Sequence, residues 1–510
     1  MNAVYMSHAW KNKAKRFLKT ELTKRDISQP ELVRLLNSLG SDETVASVRN
    51  KLSRGSFSAA FLLKCMHAMG VEEIKLELSD QVGRNQRTAK VSEPTPGQYS
   101  LSFAGDEPQD SRLYRDRIRD HRYVDIRDVD SQPPSQNKVI SLFTGAGGLN
   151  IGLEDAGFET AVCVEIDEHC RETLRANTDW PIFEKTNGDG RAAGNIREIG
   201  ADELLAFADL EKGEPALVAG GAPCQPFSNI GKRNGRDDPK NGDLFLEFVR
   251  IVRGTKPKAF LFENVAGITQ SRHEEVINYM TEKFEGLGYS ITWNNLNAAD
   301  YGVPQKRIRF FLVGILGSEE PAFPLPTHYE SKKRWHEFIS NLDRDPEYLP
   351  LEWKSVAEAF ERIPDNFKDR PDYVQMNHTE RVRKRMEYVG PGENFKVVPD
   401  EHLPNCWTNG KHQGQDTFGR MEWDEPSNTI RTAAYNPSKG KYIHPEENRG
   451  LNSYEMKVLQ GFDPDWELKL ADREGMTLKS AGNQIGNAVP PPLAEAIGRA
   501  LAIQLKTLKA

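Results

Sequence analysis

The chain has 510 residues, 37% of them hydrophobic and 28% charged, with a formal net charge of −7 at neutral pH. This length exceeds what one hydrophobic core usually organises, so we expect two to four domains. No stretch approaches the roughly 18 uninterrupted apolar residues of a membrane span, and the first residues lack a basic region followed by an apolar one. The sequence therefore argues against a membrane protein and predicts a cytoplasmic one.

Five cysteines are scattered along the chain, and none of them form a Cys-x-x-Cys pair: Cys65, Cys163, Cys170, Cys224 and Cys406. Their odd number and wide spacing argue against a disulfide framework and against a structural zinc site. We therefore expect reduced thiols, one of which can act as a nucleophile, and no bound metal.

The charge is distributed unevenly, which marks a basic N-terminal region. Residues 1–75 carry 13 lysines and arginines against 7 acidic residues, a surplus of +6, whereas the rest carries 55 against 68, a net −13. Apolar residues at helical spacing predict a small helical domain over residues 1–78, with Ser28 beginning one helix. Residues 44–55 resemble a helix-turn-helix of the phage-repressor kind, and a helical bundle that serves protein contacts is the alternative.

The next segment, residues 79–136, is polar and lacks sustained periodicity. We predict a linker, with one short helix near residues 114–122. DNA contacts in the acidic remainder of the chain would have to come from local basic clusters, each of which is also compatible with a solvated surface. The candidates are Lys232, Arg233 and Arg236, then Lys306, Arg307 and Arg309, then Arg381, Arg383, Lys384 and Arg385.

From residue 138, short apolar runs alternate with helical patterns, as in successive β-α units. This alternation predicts an α/β fold with a doubly wound, mainly parallel sheet. Between about 316 and 445 the pattern breaks into segments with strong turn chemistry, which predicts an inserted irregular domain, and helical character returns from Ser453. The strand candidates are residues 139–143, 160–165, 216–220, 259–262 and 310–313.

The first β-α junction is the glycine-rich sequence Phe143-Thr-Gly145-Ala-Gly147-Gly148, where the backbone can approach a ligand closely at the start of a helix. Glu165 lies 20 residues after Gly145, the spacing at which a carboxylate accepts hydrogen bonds from a ribose. Both phosphate-binding signatures, the dinucleotide motif and the Gly-Lys-Ser/Thr loop, are incomplete. S-adenosylmethionine, a nucleoside without phosphates, fits best, and a merely structural turn is the alternative.

Two further motifs end apolar strands and can carry chemistry. Cys224 stands in Pro-Cys-Gln after one strand, which predicts a thiol at the carboxyl edge, where open α/β sheets bind ligands. Glu263 stands in Glu-Asn-Val after another strand, and a carboxylic acid whose pKa is raised by burial can protonate a ring nitrogen. Taken singly, the cysteine can be inert packing and the glutamate can cap a helix.

Arg307 and Arg309 belong to the sequence Gln-Lys-Arg-Ile-Arg, which enters a further strand. Alternation along a strand points both side chains to one face. Such a pair of guanidinium groups suits a carbonyl oxygen together with a phosphate or carboxylate.

Five motifs follow in order: Phe-x-Gly-x-Gly-Gly, Pro-Cys-Gln, Glu-Asn-Val, Gln-x-Arg-x-Arg and Gly482-Asn-Gln-Ile-Gly-Asn-Ala-Val-Pro490. In this order they resemble the motifs of DNA cytosine-5 methyltransferases, over about residues 138–505. Each motif is modest, but five in order are highly specific. The chain departs from the family motifs at two positions. Asn195 stands where the family often has Asp, and Tyr454 stands where its ninth motif usually has Arg.

The resemblance implies a Rossmann-like methyltransferase fold that uses S-adenosylmethionine and acts on double-stranded DNA. The catalytic domain would comprise residues 137–315 and 446–510, and residues 316–445 would form the target-recognition domain. We expect a monomer on DNA in the bacterial cytoplasm, with a cognate restriction endonuclease that acts on the same site as its partner.

The resemblance also implies the catalytic roles. Cys224 as a thiolate would add to C6 of a flipped-out cytosine while Glu263 engages N3, and the ring would then accept the methyl group at C5. Arg307 would hold the cytosine O2, and Arg309 would help to fix that pocket. No metal is needed for this reaction.

The implied cofactor site combines the glycine turn with residues from later motifs. Phe143 and Ile166 would cover the two faces of the adenine, and Glu165 would bind the ribose hydroxyls. Asn195 could accept a hydrogen bond from the adenine amino group through its amide oxygen. The full predicted set is Phe143, Gly145, Gly147, Gly148, Glu165, Ile166, Asn195, Ile196, Asn487 and Ala488.

Residues 226–244 are polar and glycine-punctuated, as expected of a loop that closes over bound DNA. Their cations would meet phosphates, so binding would weaken as salt rises. The predicted DNA-binding set is Gln225, Ser228, Lys232, Arg233 and Arg236.

Two alternatives remain open at this point. A transfer RNA methyltransferase can be built on the same scaffold, although the roughly 130-residue insertion favours duplex DNA. A DNA-binding regulator with a secondary or inactive methyltransferase part is the other, since residues 1–78 could bind the chain's own promoter or add nonspecific affinity.

Overall fold

The computed structural model describes residues 18, 22, 25, 27–38, 48, 59–69, 122–127, 137–186, 192–222, 244–269, 274–317, 319–340, 342, 349–408, 416–471 and 477–507. The chain divides into two compact units, residues 1–93 and 94–510. Among the residues just given, no helix has the length and apolar character needed to cross a membrane.

The N-terminal unit contains helices α1 (Gln29–Ser38) and α2 (Ala59–Ala68). Ser28 begins α1, because its hydroxyl accepts a hydrogen bond from the Glu31 N–H at 3.3 Å, which confirms the predicted start. The predicted helix-turn-helix at 44–55 lies almost entirely outside the described residues. The core of this unit is small and aliphatic, and it includes Leu18, Leu22, Leu32, Leu36, Cys65 and Met66.

The second unit is built on a six-stranded sheet with the order β2-β1-β3-β4-β6-β5. Its strands are β1 (Lys138–Leu142), β2 (Glu159–Val164), β3 (Leu217–Gly220), β4 (Ala259–Val265), β5 (Tyr289–Asn297) and β6 (Ile308–Leu316). Strands β1 to β4 are parallel, whereas β6 runs antiparallel to both β4 and β5. The ends of β1 to β4 therefore meet at one edge, called the carboxyl edge below.

The helices of this unit follow the strands and then fill the later part of the chain. They are α3 (Gly148–Asp155), α4 (Glu168–Asn177), α5 (Ala201–Phe207), α6 (Leu244–Thr255), α7 (Glu274–Glu285), α8 (Lys332–Ile339), α9 (Val356–Phe360), α10 (Glu380–Glu387), α11 (Asn405–Thr408), α12 (Ser453–Leu459), α13 (Thr477–Asn487) and α14 (Pro491–Thr507). Two-residue strands pair as Tyr123–Val124 with Phe323–Pro324, Lys185–Thr186 with Ala192–Ala193, His328–Tyr329 with Leu351–Glu352, and Gln305–Lys306 with Ser427–Asn428.

Helices cover both faces of the sheet, because alternate strand residues point to opposite sides. On one face Val139, Ala219 and Leu261 pack in a core with α3 and α14. On the other face Ile140 and Val218 pack in a second core with α5, α6 and α7. The result is a three-layer α/β/α arrangement, as the sequence predicts.

All five predicted strands are present, with ends shifted by between none and three residues. Strand β5 was not predicted, because Asn294, Asn295 and Asn297 interrupt its apolar residues and only alternate positions are buried. With β6 entering antiparallel beside it, the sheet is mainly but not wholly parallel, as expected.

The predicted linker differs from the structure at residues 122–127. Tyr123 and Val124 pair in parallel with Phe323 and Pro324, and the Tyr123 ring meets the Phe338 ring edge-on at 5.4 Å. This part of the segment is therefore ordered by apolar contacts that its polar composition hides. The helix predicted near residues 114–122 lies outside the described residues except for its last position.

The inserted segment, residues 316–445, contributes to several hydrophobic cores. One contains Leu325, Trp335 and Phe338, and another surrounds α10. A third is shared with the C-terminal part of the chain, since Ile430 and Tyr442 pack in one core with α12 and α13. This shared core joins the inserted segment to the C-terminal helices.

Candidate active site

The glycine-rich turn after β1 has unusual backbone angles, and neighbouring segments approach its backbone closely. Phe143, Gly145 and Gly147 all have positive φ, at 55°, 59° and 91°. A Cβ on Gly147 would lie 3.0 to 3.1 Å from three neighbouring side chains, and one on Gly148 would lie 2.3 Å from the Val489 carbonyl oxygen. The turn therefore brings bare backbone to the start of α3, against the segment that follows α13.

Glu165 ends the neighbouring strand and closes on this turn. Its two carboxylate oxygens accept hydrogen bonds from the Gly145 N–H at 2.7 Å and the Asp167 N–H at 2.8 Å. Burial raises the pKa of Glu165, and these two N–H groups offset part of that rise. Each oxygen keeps a lone pair for a further donor, such as a ribose hydroxyl. Ile166 beside it is 62% exposed, which leaves an apolar side chain open at the carboxyl edge.

The Gly194-Asn195-Ile196 segment lies against Glu165, since the Gly194 N–H donates to the Glu165 carbonyl oxygen at 3.2 Å. The Asn195 amide oxygen caps the following turn at the Arg197 N–H, at 3.4 Å. Ile196 differs from its predicted role, because its side chain is buried in the core and its carbonyl accepts from Arg250 at 2.7 Å.

Asn487 and Ala488 stand at the end of α13, beside the glycine turn. The Ala488 Cβ would lie 3.2 Å from a Cβ built on Gly148. The Asn487 side chain is exposed. The structure therefore brings together the turn, Glu165, Asn195 and Ala488 in one region.

Glu263 lies at the same carboxyl edge, two strands away from β1. A Cβ on Gly221 would come within 2.5 Å of its Oε2, so a side chain there would displace the carboxyl group. The Nε of Arg309 lies 3.3 Å from its Oε1, and both side chains are almost fully buried. Burial raises the pKa of Glu263, while the guanidinium groups of Arg309 and Arg307 offset part of the rise. Burial is the larger of the two effects, so the pKa of Glu263 lies above its ordinary value.

Asn264 ties the end of β4 to the end of β3. Its Nδ2 donates to the Ala222 carbonyl oxygen at 3.3 Å, and its Oδ1 accepts from the Val265 N–H at 2.7 Å. Sequence reasoning did not single out Asn264 or Gly221, although both belong to motifs it used. The predicted nucleophile and DNA-binding set lie outside the described residues: Cys224, Gln225, Ser228, Lys232, Arg233 and Arg236.

Arg307, which the resemblance assigns to the cytosine O2, takes part in an internal hydrogen-bond network. It is 1% exposed, and its two terminal nitrogens donate to the carbonyls of Ile430 at 2.9 Å, Gly486 at 2.8 Å and Ala488 at 3.1 Å. It precedes β6 rather than lying within it, so its side chain turns toward the C-terminal segment. Arg309, within β6, is the arginine that contacts Glu263.

Gln305 extends this hydrogen-bond network, although no separate role was predicted for it. Its Nε2 donates to the Leu459 carbonyl oxygen at 2.9 Å, and its Oε1 accepts from the Ile430 N–H at 2.7 Å. Gln305 and Arg307 therefore join three segments that lie far apart in the sequence. Long-range main-chain partners of this kind leave no local sequence pattern.

Sequence comparisons match most of the chain to known proteins. A family model described as C-5 cytosine-specific DNA methylase matches residues 137–502, and a model described as a domain of unknown function matches residues 10–74. Type II methyltransferase M1.HphI of Haemophilus parahaemolyticus is 33% identical over 71% of this chain and 86% of its own length. Type II methyltransferase M.AquIA of Picosynechococcus is 45% identical over 50% of this chain and 99% of its own. A solved DNA modification methyltransferase from an Escherichia coli prophage aligns with a TM-score of 0.49 at 22% identity, over 71% of this chain and 98% of its own.

Proposed function

Since the chain belongs to the C-5 cytosine-specific DNA methylase family and is a DNA cytosine-5 methyltransferase, we propose that it methylates a flipped-out cytosine within a specific duplex sequence, with S-adenosylmethionine as methyl donor. The observation that carries this proposal is the buried Glu263–Arg309 pair, at the edge where the glycine turn and Glu165 also lie. An acid of raised pKa is what a ring nitrogen needs there.

The residues of the turn fit S-adenosylmethionine. Backbone without side chains at Gly147 and Gly148, an acceptor at Glu165 and the exposed Ile166 match a nucleoside with an apolar face and a ribose. When bound, the cofactor supplies an electrophilic methyl group. Phe143, Asn487 and Ala488 complete the proposed cofactor contacts.

The buried Glu263–Arg309 pair marks the proposed pocket for the cytosine base. Cys224, as a thiolate, adds to C6 of the cytosine, and Glu263 donates a proton to N3, so that electron density moves to C5. After the methyl group is transferred to C5, loss of the C5 proton to water expels Cys224 as a thiolate. N3 returns its proton to Glu263, which restores the aromatic ring and the enzyme. Extrusion of the base costs a few kcal/mol, which protein contacts to DNA must offset.

The contacts favour Arg309 over Arg307 for the cytosine O2. Arg309 lies beside Glu263, the group that would face N3 of the same ring edge. Arg307 already donates to three carbonyls and therefore acts as a positioning residue that holds the pocket wall together.

The relatives are named type II methyltransferases, which supports a modification role for this chain. We infer that its methylation protects DNA from a restriction endonuclease that cuts the same site. The DNA that such an enzyme protects lies in the bacterial cytoplasm, so the cytoplasm stays the predicted location of this chain.

A methyl-transfer assay tests the proposal. Purified full-length chain should transfer labelled methyl groups to duplex DNA and not to transfer RNA, and bisulfite sequencing should locate the modified cytosines at one sequence. Transfer to transfer RNA alone would contradict the DNA assignment, and no transfer to either would favour an inactive regulator.

The variant Cys224→Ser tests the nucleophile. It should lose methyl transfer because a serine hydroxyl stays protonated at neutral pH, while calorimetric binding of S-adenosylmethionine is kept. Cys406→Ser, a cysteine outside the motifs, is the matched control and should keep full activity. Substantial methylation by Cys224→Ser would overturn the assignment of the nucleophile.

A further inference from the structure

A short segment, residues 427–432, runs beside the two-residue strand Gln305–Lys306, which directly precedes Arg307. Ser427 and Asn428 pair in parallel with Gln305 and Lys306. The Thr429 hydroxyl donates to the Lys306 carbonyl oxygen at 2.9 Å, and the Ile430 N–H donates to Gln305 at 2.7 Å. The backbone on this side of residue 431 is therefore fixed against the wall of the base pocket.

The other side of the segment is fixed by two glycines of α13. A Cβ on Gly482 would lie 2.1 Å from the Thr432 carbonyl oxygen, and one on Gly486 would lie 2.5 Å from the Thr432 nitrogen. Arg307 joins the two sides, because it donates to the carbonyls of both Ile430 and Gly486. Residue 431 therefore lies between two anchored neighbours, close to Arg307 and to the end of α13.

Residue 431 is an arginine with an exposed side chain. Two other cations are paired, since Lys306 lies 3.0 Å from Glu425 and Lys441 lies 2.7 Å from Glu422. In the part of the chain that the structure describes, the Arg431 guanidinium has no ion pair or hydrogen bond. The acidic second unit thus keeps an uncompensated positive charge on a rigid support at the pocket wall.

We propose that Arg431 binds a backbone phosphate of the DNA strand that carries the target cytosine, next to the extruded nucleotide. A guanidinium presents two parallel N–H groups to phosphate oxygens, and its fixed backbone lowers the entropy lost on binding. A phosphate contact at this position sets the register of the strand over the pocket without reading sequence. This inference rests on the proposed function, since it assumes that DNA is the substrate.

Salt-dependent DNA binding by the full-length enzyme tests the contact. Fluorescence anisotropy would follow binding to a duplex that carries the methylated site and to one that lacks it, each over a range of salt concentrations. Arg431→Gln should lower the slope of log affinity against log salt by about 1 and weaken binding to both duplexes about equally. Arg431→Lys keeps the charge and should keep the slope.

Arg253→Gln is the matched control, because Arg253 is an exposed arginine near the end of α6, at the opposite edge of the sheet from Glu263. It removes the same charge and should leave the slope unchanged. An unchanged slope in Arg431→Gln overturns the proposal. Weakened binding to the cognate duplex alone, at an unchanged slope, would instead identify Arg431 as a base-reading residue.

The failure of this inference can be told apart from failure of the proposed function. If the unmodified enzyme methylates no DNA, the proposed function fails, whatever the slope. If it methylates DNA and Arg431→Gln binds as tightly at every salt concentration, only the phosphate contact fails.

Discussion

Two opposing effects act on the pKa of Glu263, namely burial and the positive charges of two arginines. Removal from water disfavours the carboxylate, whereas Arg309 at 3.3 Å favours it. Because burial is the larger effect, the pKa of Glu263 stays above its ordinary value. Arg309, at 3.3 Å, also fixes the orientation of the carboxyl group.

Glu263→Gln tests this balance. The amide keeps the shape and can donate a hydrogen bond to N3 but cannot transfer a proton, so methyl transfer should fall by about 100-fold or more. The unmodified enzyme should lose activity as pH rises through the raised pKa of Glu263. The residual activity of the variant should lack this decline.

The control is Glu282→Gln, an exposed residue on α7 whose substitution should alter neither rate nor pH profile. Methyl transfer by Glu263→Gln at the unmodified rate, with the same decline at high pH, would contradict the assignment of Glu263 as the proton donor.

At this scale the sequence predicts the identity of site residues better than their contacts. Glu263 and Glu165 lie at the carboxyl edge as expected, because the ends of parallel strands follow from the order of the elements. The roles of Arg307 and Arg309 could not be separated in this way. Arg307 finds its three acceptors on residues more than 120 positions away, which no spacing along the strand can reveal.

Helix α12 contains Tyr454, at the position where the family motif usually has arginine. A buried charge pair next to this tyrosine holds the helix in place. The Lys457 ammonium lies 2.7 Å from Asp372, which also accepts from the Tyr454 hydroxyl at 2.6 Å, and both charged groups are almost fully buried. Burial lowers the pKa of Lys457, and pairing with Asp372 offsets part of that effect. Tyr454 therefore adds a hydrogen bond to the buried Lys457–Asp372 pair, while Glu455 next to it pairs with Arg449 at 2.7 Å.

The same lysine fixes the segment after α12. Its ammonium donates to the carbonyls of Pro464 at 3.1 Å and Trp466 at 3.0 Å. Trp466 lies within 3.1 Å of a Cβ built on Gly147, so this segment also supports the glycine turn. The pair thus connects the inserted segment, through Asp372, with the cofactor side of the molecule.

Asp372→Asn should destabilise the second unit by about 3–5 kcal/mol, because it leaves a buried ammonium without its counter-charge. Urea unfolding should show this as a lower midpoint at unchanged slope. The double variant Asp372→Asn with Lys457→Met removes both charges and should recover a large part of the loss. A single variant that unfolds within about 0.5 kcal/mol of the unmodified chain would contradict the importance of the pair.

Elements with strong apolar periodicity were predictable, and those stabilised by neighbours were not. Strands β1 to β4 are buried, and their short apolar runs are recognisable in the sequence. Strand β5 carries asparagines on its half-exposed face and is fixed by pairing with β6. The strand at Tyr123–Val124 likewise depends on Phe323–Pro324, a partner about 200 residues away.

Across the whole molecule, the uneven charge coincides with the division into units. The surplus of +6 over residues 1–75 falls within the unit that ends at Glu93, and the acidic remainder holds the family match at 137–502. The sequence predicts that the helical N-terminal region ends at residue 78, whereas the first compact unit ends at Glu93. The start of the second unit could not be predicted, since the apolar contacts of residues 122–127 lie within a polar stretch.

This division makes a role for the N-terminal unit testable. We expect residues 1–78 to add electrostatic affinity for DNA, so a chain that begins at Pro94 should methylate the same site while its affinity at low salt falls about ten-fold or more, with a shallower salt dependence. A full-length variant with Lys11, Lys13, Lys15 and Arg16 changed to glutamine should shift in the same direction, because it removes four charges and keeps the unit. Equal affinity of the shortened and complete chains for DNA, measured by anisotropy at low salt, would show that these cations do not meet the substrate, and a bundle that serves protein contacts would then be the better interpretation.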